Sequence, residues 1–459
     1  MSNPSITTAA RHPKPSSPDN FASCGVPAKL VATLAADGIQ SPFPIQTATL
    51  PDSLNGRDIL GRGRTGSGKT LAFALPMVTR LAGDRERTRR GAPRGLVLAP
   101  TRELANQILA TLTPLAQAMS LRCAVIVGGV RQGAQVKALQ SGVDIIVATP
   151  GRLEDLIQQR HCRLDDVVVT VIDEADHMAD LGFLPAVTRI LEQTPRGGQR
   201  LLFSATLDSG VDGLARRFLN DPVTHAPDPA EASIAQMSHH LMTVHAADKA
   251  AVVQDLAAGL GRSVLFTRTK HGASKLAKQL TTAGVPAVEL HGNLGQSARE
   301  RNLAAFSGGT VRVLVATDIA ARGIHVDDVS LVVHVDPPAE HKAYLHRSGR
   351  TARAGASGAV VTVATREQSK GVRALARQAG ITQEVLNVTP GDPKIAHLRG
   401  ERAPSIAPGS RVTAPSAPTK PARSSRPAAP GNRPARRRKP TGRRHTGSSR
   451  KPTSARAAS

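Results

Sequence analysis

The chain has 459 residues, a length that predicts two domains with additional segments rather than one core. Three cysteines (Cys24, Cys123 and Cys162) show no paired or metal-type spacing, which argues against a disulfide scaffold and favours a reducing compartment. No apolar signal core and no run of membrane-spanning length occurs, so a soluble cytoplasmic protein without a membrane partner is expected.

In chain order, residues 1–19 are polar and are predicted to form a disordered N-terminal segment. Residues 20–221 then alternate short apolar runs with longer segments of helical period. The predicted strands are GLVLAP, CAVIVGG, VDIIVATP, VVVTVIDEAD and RLLFSAT. This alternation is typical of a parallel sheet with crossover helices, so the first domain is predicted to be α/β.

The segment GRGRTGSGKT lies between the strand-like DIL and a helical stretch, and it contains a complete P-loop. Backbone N–H groups of such a loop wrap the phosphates of ATP, Lys69 is expected to reach the terminal phosphates, and Thr70 is expected to hold Mg²⁺. The predicted ATP-binding residues of the loop are Gly63, Arg64, Thr65, Gly66, Ser67, Gly68, Lys69 and Thr70.

The apolar run VVVTVIDEAD, residues 167–176, ends in three carboxylates. Opposite a P-loop, an acid at the end of a buried strand holds Mg²⁺, and Asp173 is predicted to take that position. Glu174 is predicted to orient or deprotonate the attacking water. Neighbouring side chains of a strand point to opposite faces, so both acids serve one site only if the strand ends there.

A Pro/Ala-rich linker, residues 222–236, separates this domain from a second one at residues 237–380. Five further strands are predicted there, within RSVLFTR, PAVELHG, VRVLVAT, VSLVVHVD and GAVVTVAT, but no second Gly-rich loop occurs. Only the first domain is therefore expected to cradle a phosphate. Arg350 and Arg353 are three apart and can share a helix face, either as a solvated pair or as arginine fingers that complete the P-loop site.

Residues 381–459 are predicted to be a basic, Pro/Ala/Ser-rich disordered tail. Residues 402–459 contain 15 Lys and Arg, ten prolines, no acid and no aromatic residue, within a chain of net charge +25. This composition favours attraction to nucleic acid through counterion release, and a purely solubilising tail is the alternative. The nine aromatic residues of the chain argue against recognition by base stacking.

Taken together, these motifs resemble the DEAD-box family of ATP-dependent RNA helicases in superfamily 2, of a bacterial type with a basic C-terminal tail. The resemblance spans about residues 21–365 and includes PIQ, PTRELA, TPGR, SAT, HGNLGQSARE, VATDIAARG and HRSGRTARAG. It implies an α/β protein with two tandem RecA-like parallel-sheet domains and an ATP cleft between them.

The resemblance also implies roles for individual residues. Phe21 would stack on adenine while Gln46 reads its edge, although Phe21 also fits a core position. The implied catalytic residues are Glu174, Lys69, Arg350 and Arg353, and the metal ligands are Asp173 and Thr70. The implied residues that couple ATP hydrolysis to strand separation are Asp176, Ser204, Thr206 and His346. The implied RNA-backbone contacts are Thr101, Arg102, Gly128, Gly129, Thr149, Arg152 and Thr317.

Three positions depart from the family pattern. His325 stands where the family commonly has an Asp that contacts the ATP ribose, Ala352 replaces a usual Gly, and Ala179 stands where Leu is common.

The predicted function is that of an RNA-dependent ATPase that unwinds short RNA duplexes locally or remodels RNA–protein complexes as the two domains close. Its cofactors would be ATP and Mg²⁺, and its partner RNA bound through the backbone without sequence preference. Ribosome-assembly or RNA-decay proteins are further candidate partners. The alternatives are a non-catalytic RNA chaperone acting through the basic tail and a DNA-directed superfamily 2 helicase.

Overall fold

The computed structural model describes residues 20–63, 66–83, 88–227, 237–321, 326, 328–352 and 358–406. Four residues with predicted roles or departures (Arg64, Thr65, His325 and Arg353) lie outside the described residues, as do the N-terminal segment 1–19 and the chain from 407 onward. Within the described ranges, no helix combines the length and the apolar composition that crossing a membrane requires.

Seven parallel strands form the first sheet, in the order β3-β4-β2-β5-β6-β1-β7. They are β1 (Ile59–Arg62), β2 (Gly95–Leu98), β3 (Cys123–Ile126), β4 (Ile145–Ala148), β5 (Val169–Ile172), β6 (Gln199–Ser204) and β7 (Val223–His225). The helices that accompany them are α1 (Ala28–Ala36), α2 (Pro44–Leu54), α3 (Lys69–Gly83), α4 (Arg102–Ala118), α5 (Gly133–Gln140), α6 (Pro150–Gln158), α7 (Ala175–Asp180), α8 (Leu184–Glu192) and α9 (Ser209–Phe218).

Helices cover both faces of this sheet, and this explains why its strands are apolar throughout. Every residue of β2, β4 and β5 is buried. Alternate residues of β2 enter different cores: Val97 packs in one cluster, whereas Leu96 and Leu98 pack in another. A strand buried on both faces has no position for a polar side chain, so it reads as a continuous apolar run.

The second sheet repeats the topology of the first. Its order is β10-β11-β9-β12-β13-β8-β14, again with parallel pairs, and each strand corresponds to the one seven places earlier in the chain. These strands are β8 (Met237–Val244), β9 (Arg262–Phe266), β10 (Ala287–Leu290), β11 (Val313–Ala316), β12 (Val329–His334), β13 (Gly358–Thr365) and β14 (Val385–Asn387). The accompanying helices are α10 (Lys249–Ala257), α11 (Lys270–Thr282), α12 (Gln296–Ser307), α13 (Asp318–Ala321), α14 (His341–Ser348), α15 (Ser369–Gln378) and α16 (Pro393–Arg399).

The α/β fold with two tandem parallel sheets is therefore confirmed, and the strands predicted from the apolar runs are all present. Both sheets belong to one unit of the chain, Met1–Ala414. The sequence did not predict β7, β8 or β14. β7 falls within residues 222–236, which the sequence analysis places in the linker, and it pairs with β1 as an edge strand.

The folded chain also extends further than the composition suggests. Residues 381–406, predicted as the start of the tail, contain β14 and α16. Ile395 of α16 is completely buried in a core cluster with Val252 and Leu256 of α10. A few well-placed aliphatic side chains suffice to anchor this segment, although its average composition is polar.

The last residue of α16 and the segment that follows it, together residues 399–406, form a C-terminal strap across the amino ends of β9 and β10. Backbone N–H groups of Ala403 and Ile406 donate to the carbonyl oxygens of Ala258 and Gly284 at 2.8 and 3.0 Å. Asp255 accepts hydrogen bonds from the guanidinium groups of Arg399 and Arg402. Gly259 permits this close approach, because a Cβ there would overlap the Arg399 carbonyl.

We expect Ile395→Ala to lower the free energy of unfolding by about 2–5 kcal/mol, because it leaves a cavity under α16. Lys394→Ala, on the exposed side of the same helix, is the control and should change it little. Denaturant unfolding of both variants checks this. Equal stability of the two variants would show that α16 contributes nothing to the core.

Candidate active site

The predicted site residues of the first sheet follow the carboxyl ends of its strands. The P-loop follows β1, Asp173 follows β5, Ser204 ends β6 and Thr101 follows β2. Gly128 and Thr149 lie just beyond β3 and β4. Because all strands are parallel, these residues lie along one edge of the sheet, where open α/β sheets bind ligands.

The P-loop is held in shape by a lysine and by glycines. Lys69 begins α3, is buried, and its Nζ donates to the carbonyl oxygen of Gly63 at 2.7 Å. Gly66 and Gly68 have φ angles of 86° and 89°, which only glycine adopts without strain. This backbone can turn its N–H groups toward an anion at the start of α3.

Gln46 connects the loop to helix α2. Its Nε2 donates to the carbonyl oxygen of Gly68 at 2.8 Å, and its Oε1 accepts from the backbone N–H of Phe43 at 2.9 Å. Gln46 is therefore a buried brace of the P-loop rather than a surface amide.

The aromatic assigned to adenine from the family resemblance is buried in this structure. Phe21 is only 1% exposed and packs in the core of the first domain. Phe43, by contrast, is 41% exposed and lies beside the loop, since a Cβ built on Gly68 would be 2.7 Å from its Cδ2. Stacking of Phe21 on adenine stays a prediction, and the exposed aromatic next to Gln46 is Phe43.

β5 ends at Ile172, and the first two acids follow it in a turn rather than within the strand. Glu174 has the left-handed backbone angles φ 51° and ψ 53°, and α7 begins at Ala175. Asp173 Oδ1 accepts from the Glu174 N–H at 3.0 Å. This turn removes the alternation of a strand and lets both carboxylates face one site.

The pKa values of Asp173 and Glu174 are shifted in opposite directions. Burial raises the pKa of Asp173 to about 7, although Lys69 lowers it in part, and the charges of Glu174 and Asp176 raise it further. Burial also opposes ionisation of Glu174, but a hydrogen bond and charge from His177, together with Arg350 and Lys69, lower its pKa to about 2. Glu174 is thus ionised at neutral pH, and it is better suited to orienting a water than to holding a proton.

His177 holds the Glu174 carboxylate in place. It lies one helical turn further on, is buried, and its Nδ1 is 3.1 Å from Glu174 Oε2. A lone histidine in a short helix carries no sequence pattern, so this role could not be predicted from the sequence.

Asp176 lies at the junction of three chain segments. Its Oδ2 accepts hydrogen bonds from the N–H and Oγ1 of Thr206 at 3.1 and 3.2 Å. Its own N–H donates to Ser204 Oγ at 3.2 Å, and Nε2 of His346 from α14 is 3.8 Å from Oδ2. All four residues assigned to coupling are thus brought together.

The second sheet also contributes an arginine to this region. Arg350 follows α14, is buried, and its Nε donates to the His346 carbonyl oxygen at 3.3 Å. Its charge is close enough to lower the pKa of Glu174. Its predicted companion Arg353 lies outside the described residues.

The candidate RNA contacts of the first sheet form a connected group. Arg102 packs against Gly129, where a Cβ would overlap its guanidinium. Arg152 donates to the carbonyl oxygen of Val130 at 3.2 and 3.3 Å. Thr101 caps α4 by accepting from the Leu104 N–H at 3.2 Å. Gly128 and Thr149 complete this group at the ends of β3 and β4.

Beside this group, side chains from segments that accompany the first sheet contact side chains from segments that accompany the second. Arg102 Nη1 donates to Gln296 Oε1 at 3.0 Å, and Arg299 Nε donates to Glu103 Oε1 at 2.8 Å. A third pair, Lys342 and Asp208, lies at 3.3 Å. Thr317, the candidate RNA contact of the second sheet, follows β11 and is buried.

The residues present fit ATP with Mg²⁺. A Cβ at Gly63 would lie 2.8 Å from Ser67 Oγ, so a side chain there would displace that hydroxyl from the loop. Asp173 is a buried carboxyl beside two further acids, a position in which a bound cation removes the cost of ionisation. Thr70 at the start of α3 adds a hydroxyl ligand, and hydroxyl and carboxylate oxygens suit Mg²⁺.

Two sheets of one topology, with a P-loop on only the first, define a tandem RecA-like architecture. Residues 43–214 match the family model for the DEAD/DEAH box helicases, and residues 248–355 match that for the helicase conserved C-terminal domain. The chain belongs to the DEAD-box helicase family.

Its relatives include plant proteins of greater length. It is 42% identical over 375 residues to DEAD-box ATP-dependent RNA helicase 3A, chloroplastic, of Zea mays, which covers 80% of this chain and 50% of that protein. It is 35% identical over 397 residues to DEAD-box ATP-dependent RNA helicase 9, mitochondrial, of Arabidopsis thaliana, with 85% and 64% covered. The chain thus spans half to under two thirds of these relatives. The expected bacterial type is not supported, because both are plant proteins.

Among solved structures, S. cerevisiae Dbp5 bound to RNA and ADP BeF3 is similar at a TM-score of 0.74 and 29% identity. The alignment covers 83% of this chain and 100% of that one. Mss116p bound to ssRNA and AMP-PNP, at 24% identity and a TM-score of 0.71, supports the fold.

We expect Asp173→Asn to raise the unfolding temperature at pH 8 in the presence of a chelator. The raised pKa of Asp173 means that its ionised form is disfavoured in the fold. That cost starts as pH rises above about 4, where an unfolded Asp ionises, and is complete above about pH 7. Asparagine removes the cost, so the gain should disappear at pH 4.

Thermal unfolding of Asp173→Asn at both pH values checks this, with exposed Asp37→Asn as the control. A loss of stability at pH 8 would show that the ionised carboxylate is instead stabilised by its neighbours.

Proposed function

We propose that the chain is an RNA-dependent ATPase that locally unwinds short RNA duplexes or remodels RNA–protein complexes. The observation that carries this proposal is the approach of His346, which follows the second sheet, to within 3.8 Å of the Asp176 carboxylate beside the P-loop, with the charge of Arg350 also close enough to lower the pKa of Glu174. Family membership and the similarity to a helicase bound to RNA and ADP BeF3 support it.

In this proposal the domains are residues 20–221 and 237–380, joined by the linker 222–236, with the cleft between them. The second domain is extended by the ordered segment to Ile406. A cytoplasmic location is also a proposal, since the relatives include proteins named as chloroplastic and mitochondrial.

The P-loop would hold the phosphates of ATP through its backbone N–H groups and Lys69. Asp173 and Thr70 would hold Mg²⁺, partly through water, and the ion would neutralise charge on the phosphates. Asp173 must lose its proton to serve as a ligand, because its pKa is about 7.

Glu174 would orient the attacking water. Its low pKa keeps it ionised, and the hydrogen bond from His177 fixes one of its oxygens, leaving the other for water. A carboxylate with a pKa of about 2 is a weak base, so positioning contributes more than proton abstraction. Arg350 would stabilise charge on the transferred phosphoryl group, as an arginine finger does, with Arg353 as its proposed companion.

Coupling to RNA would pass through Asp176. Its carboxylate contacts Thr206 of the first domain and lies near His346 of the second. A shift of α14 relative to the first sheet would therefore change the hydrogen bonding of the segment from Ser204 to Thr206. That segment leads directly into α9, whose N-cap Asp208 pairs with Lys342 of α14.

RNA would bind along the connected group around Arg102, Gly129 and Arg152, with Thr317 from the second domain. Backbone amides, hydroxyls and guanidinium groups suit phosphate and 2′-OH contacts, so binding is proposed to be independent of sequence. Proteins of ribosome assembly or RNA decay remain proposed partners.

Glu174→Gln should reduce RNA-stimulated phosphate release by about 10²–10⁴-fold while ATP binding remains near normal, because the amide cannot position the water as a carboxylate does. The exposed Glu192→Gln is the control. Normal hydrolysis by Glu174→Gln would refute the assignment. Stimulation by DNA equal to that by RNA would favour a DNA-directed helicase, and duplex separation unaffected by Glu174→Gln would favour a non-catalytic chaperone.

Phe43 is proposed to cover the adenine that Gln46 reads. Phe43→Ala should raise the Michaelis constant for ATP about five- to fifty-fold, in line with loss of one base–aromatic stack. Phe21→Leu is the matched control: it should lower thermal stability and leave the Michaelis constant unchanged. The reverse result would restore Phe21 as the base contact.

A further inference from the structure

A basic groove lies on the first domain, away from the predicted site. It has a volume of about 710 Å³, and its charged lining residues are Arg90, Arg160, Arg163 and Asp165. It forms between the turn at residues 89–92, which precedes β2, and the loop at residues 160–166, which precedes β5. The P-loop and the acids follow the carboxyl ends of strands, so the groove is at the opposite edge. Four residues of strand separate the two edges by about 13 Å.

Positive charge in this groove exceeds the carboxylates available to it. Arg89 at its rim pairs with Asp165 and Asp166, and Arg163 shares Asp165 at 3.6 Å. Within the described part of the chain, Arg90 and Arg160 have no carboxylate partner. Both side chains are exposed, so among the described residues of the groove and its rim four arginines face two acids.

The backbone of the groove is fixed. The Arg163 N–H donates to the Gly91 carbonyl oxygen at 2.9 Å, and the Gly91 N–H donates to that of Leu139 at 2.9 Å. Gly91 has a φ of 68°, and a Cβ there would lie 3.0 Å from the His161 carbonyl oxygen. The cations therefore stand on two loops that are tied together, which lowers the entropy cost of binding an anion.

Arginine pairs favourably with phosphate oxygens, often through two parallel hydrogen bonds. Among the residues that the structure describes, no Phe, Tyr or Trp lines the groove, so it is suited to a backbone rather than to stacked bases. Its open form also suits a polymer better than a small anion.

We propose that the basic groove binds the phosphate backbone of an RNA segment that extends beyond the cleft. The inference rests on the proposed function and adds a second RNA surface to it. RNA long enough to reach round the first domain would contact both surfaces, whereas a short RNA would contact only the site formed around Arg102 and Thr317. The groove thereby makes affinity depend on RNA length.

The test uses the full chain with Arg90→Ala and Arg160→Ala combined. Affinities for a short and a long single-stranded RNA are measured over a range of salt concentrations, together with ATPase stimulation by the short RNA. The matched control combines Arg373→Ala and Arg377→Ala, which removes the same charge from a smaller groove of about 530 Å³ in the second domain. A further variant, Arg90→Lys with Arg160→Lys, retains charge without the planar guanidinium.

The variant that combines Arg90→Ala and Arg160→Ala should bind the long RNA about tenfold more weakly than the unsubstituted chain does. Its salt slope for that RNA should be less steep by about 1.4, as expected for two lost phosphate contacts to a single strand. Affinity for the short RNA and ATPase stimulation should match the unsubstituted chain, and the lysine variant should lose less. This result would support the proposal.

Unchanged affinity of the Arg90→Ala, Arg160→Ala variant for the long RNA would overturn the proposal. The same result is expected if the groove instead binds an acidic protein or a free phosphate. Equal losses for both RNAs, or an equal loss in the control variant, would also overturn it, because the effect would then be one of total charge. Failure of the proposed function would show differently, as an unsubstituted chain whose ATPase is not stimulated by RNA.

Discussion

Three carboxylates buried at the end of β5 impose the constraint on which the rest of the site depends. Negative charge removed from water is costly unless it is paired, hydrogen-bonded or neutralised. Each acid meets this requirement differently. Asp173 retains a proton up to about pH 7, Glu174 is held ionised by His177 and nearby cations, and the Asp176 carboxylate accepts hydrogen bonds from Thr206 and from the His177 N–H. Compensation of this charge thus brings together the P-loop, the segment after β6 and the end of α14.

The division of labour between the two domains follows from one topology used twice. Both sheets have the same strand order, so both present loops at the carboxyl ends of their strands. The first domain uses that edge for a P-loop and acids. The second supplies His346, Arg350 and Arg299 to the first, and those contacts are ionic or polar. Polar contacts of this kind can be made and broken at modest cost, which suits the proposed opening and closing of the domains.

The sequence predicted most strands and the chemistry of contiguous motifs, because both are carried by neighbouring residues. The apolar runs of the first sheet mark strands buried on both faces, and GSGKT and DEAD each define a turn. Strands β8 and β14 were not predicted, because β8 contains two adjacent histidines and β14 is only three residues long. Phe21 and Phe43 show which feature of the site the sequence alone could not predict. Both are phenylalanines near PIQ, and only tertiary packing decides which one is buried. The contacts of His177 and Glu103 likewise depend on approach through space.

The C-terminal strap has a consequence for how the chain resists proteases. Arg399 and Arg402 are residues after which an arginine-specific protease cuts. Such an enzyme must draw an extended segment into its own cleft, which a hydrogen-bonded segment resists until it opens locally. Here the neighbouring peptide groups are bonded to Ala258, Leu260 and Gly284, and both side chains are held by Asp255. The strap should thus shield its own cleavage sites, and we expect a compact fragment from limited digestion to end beyond residue 402.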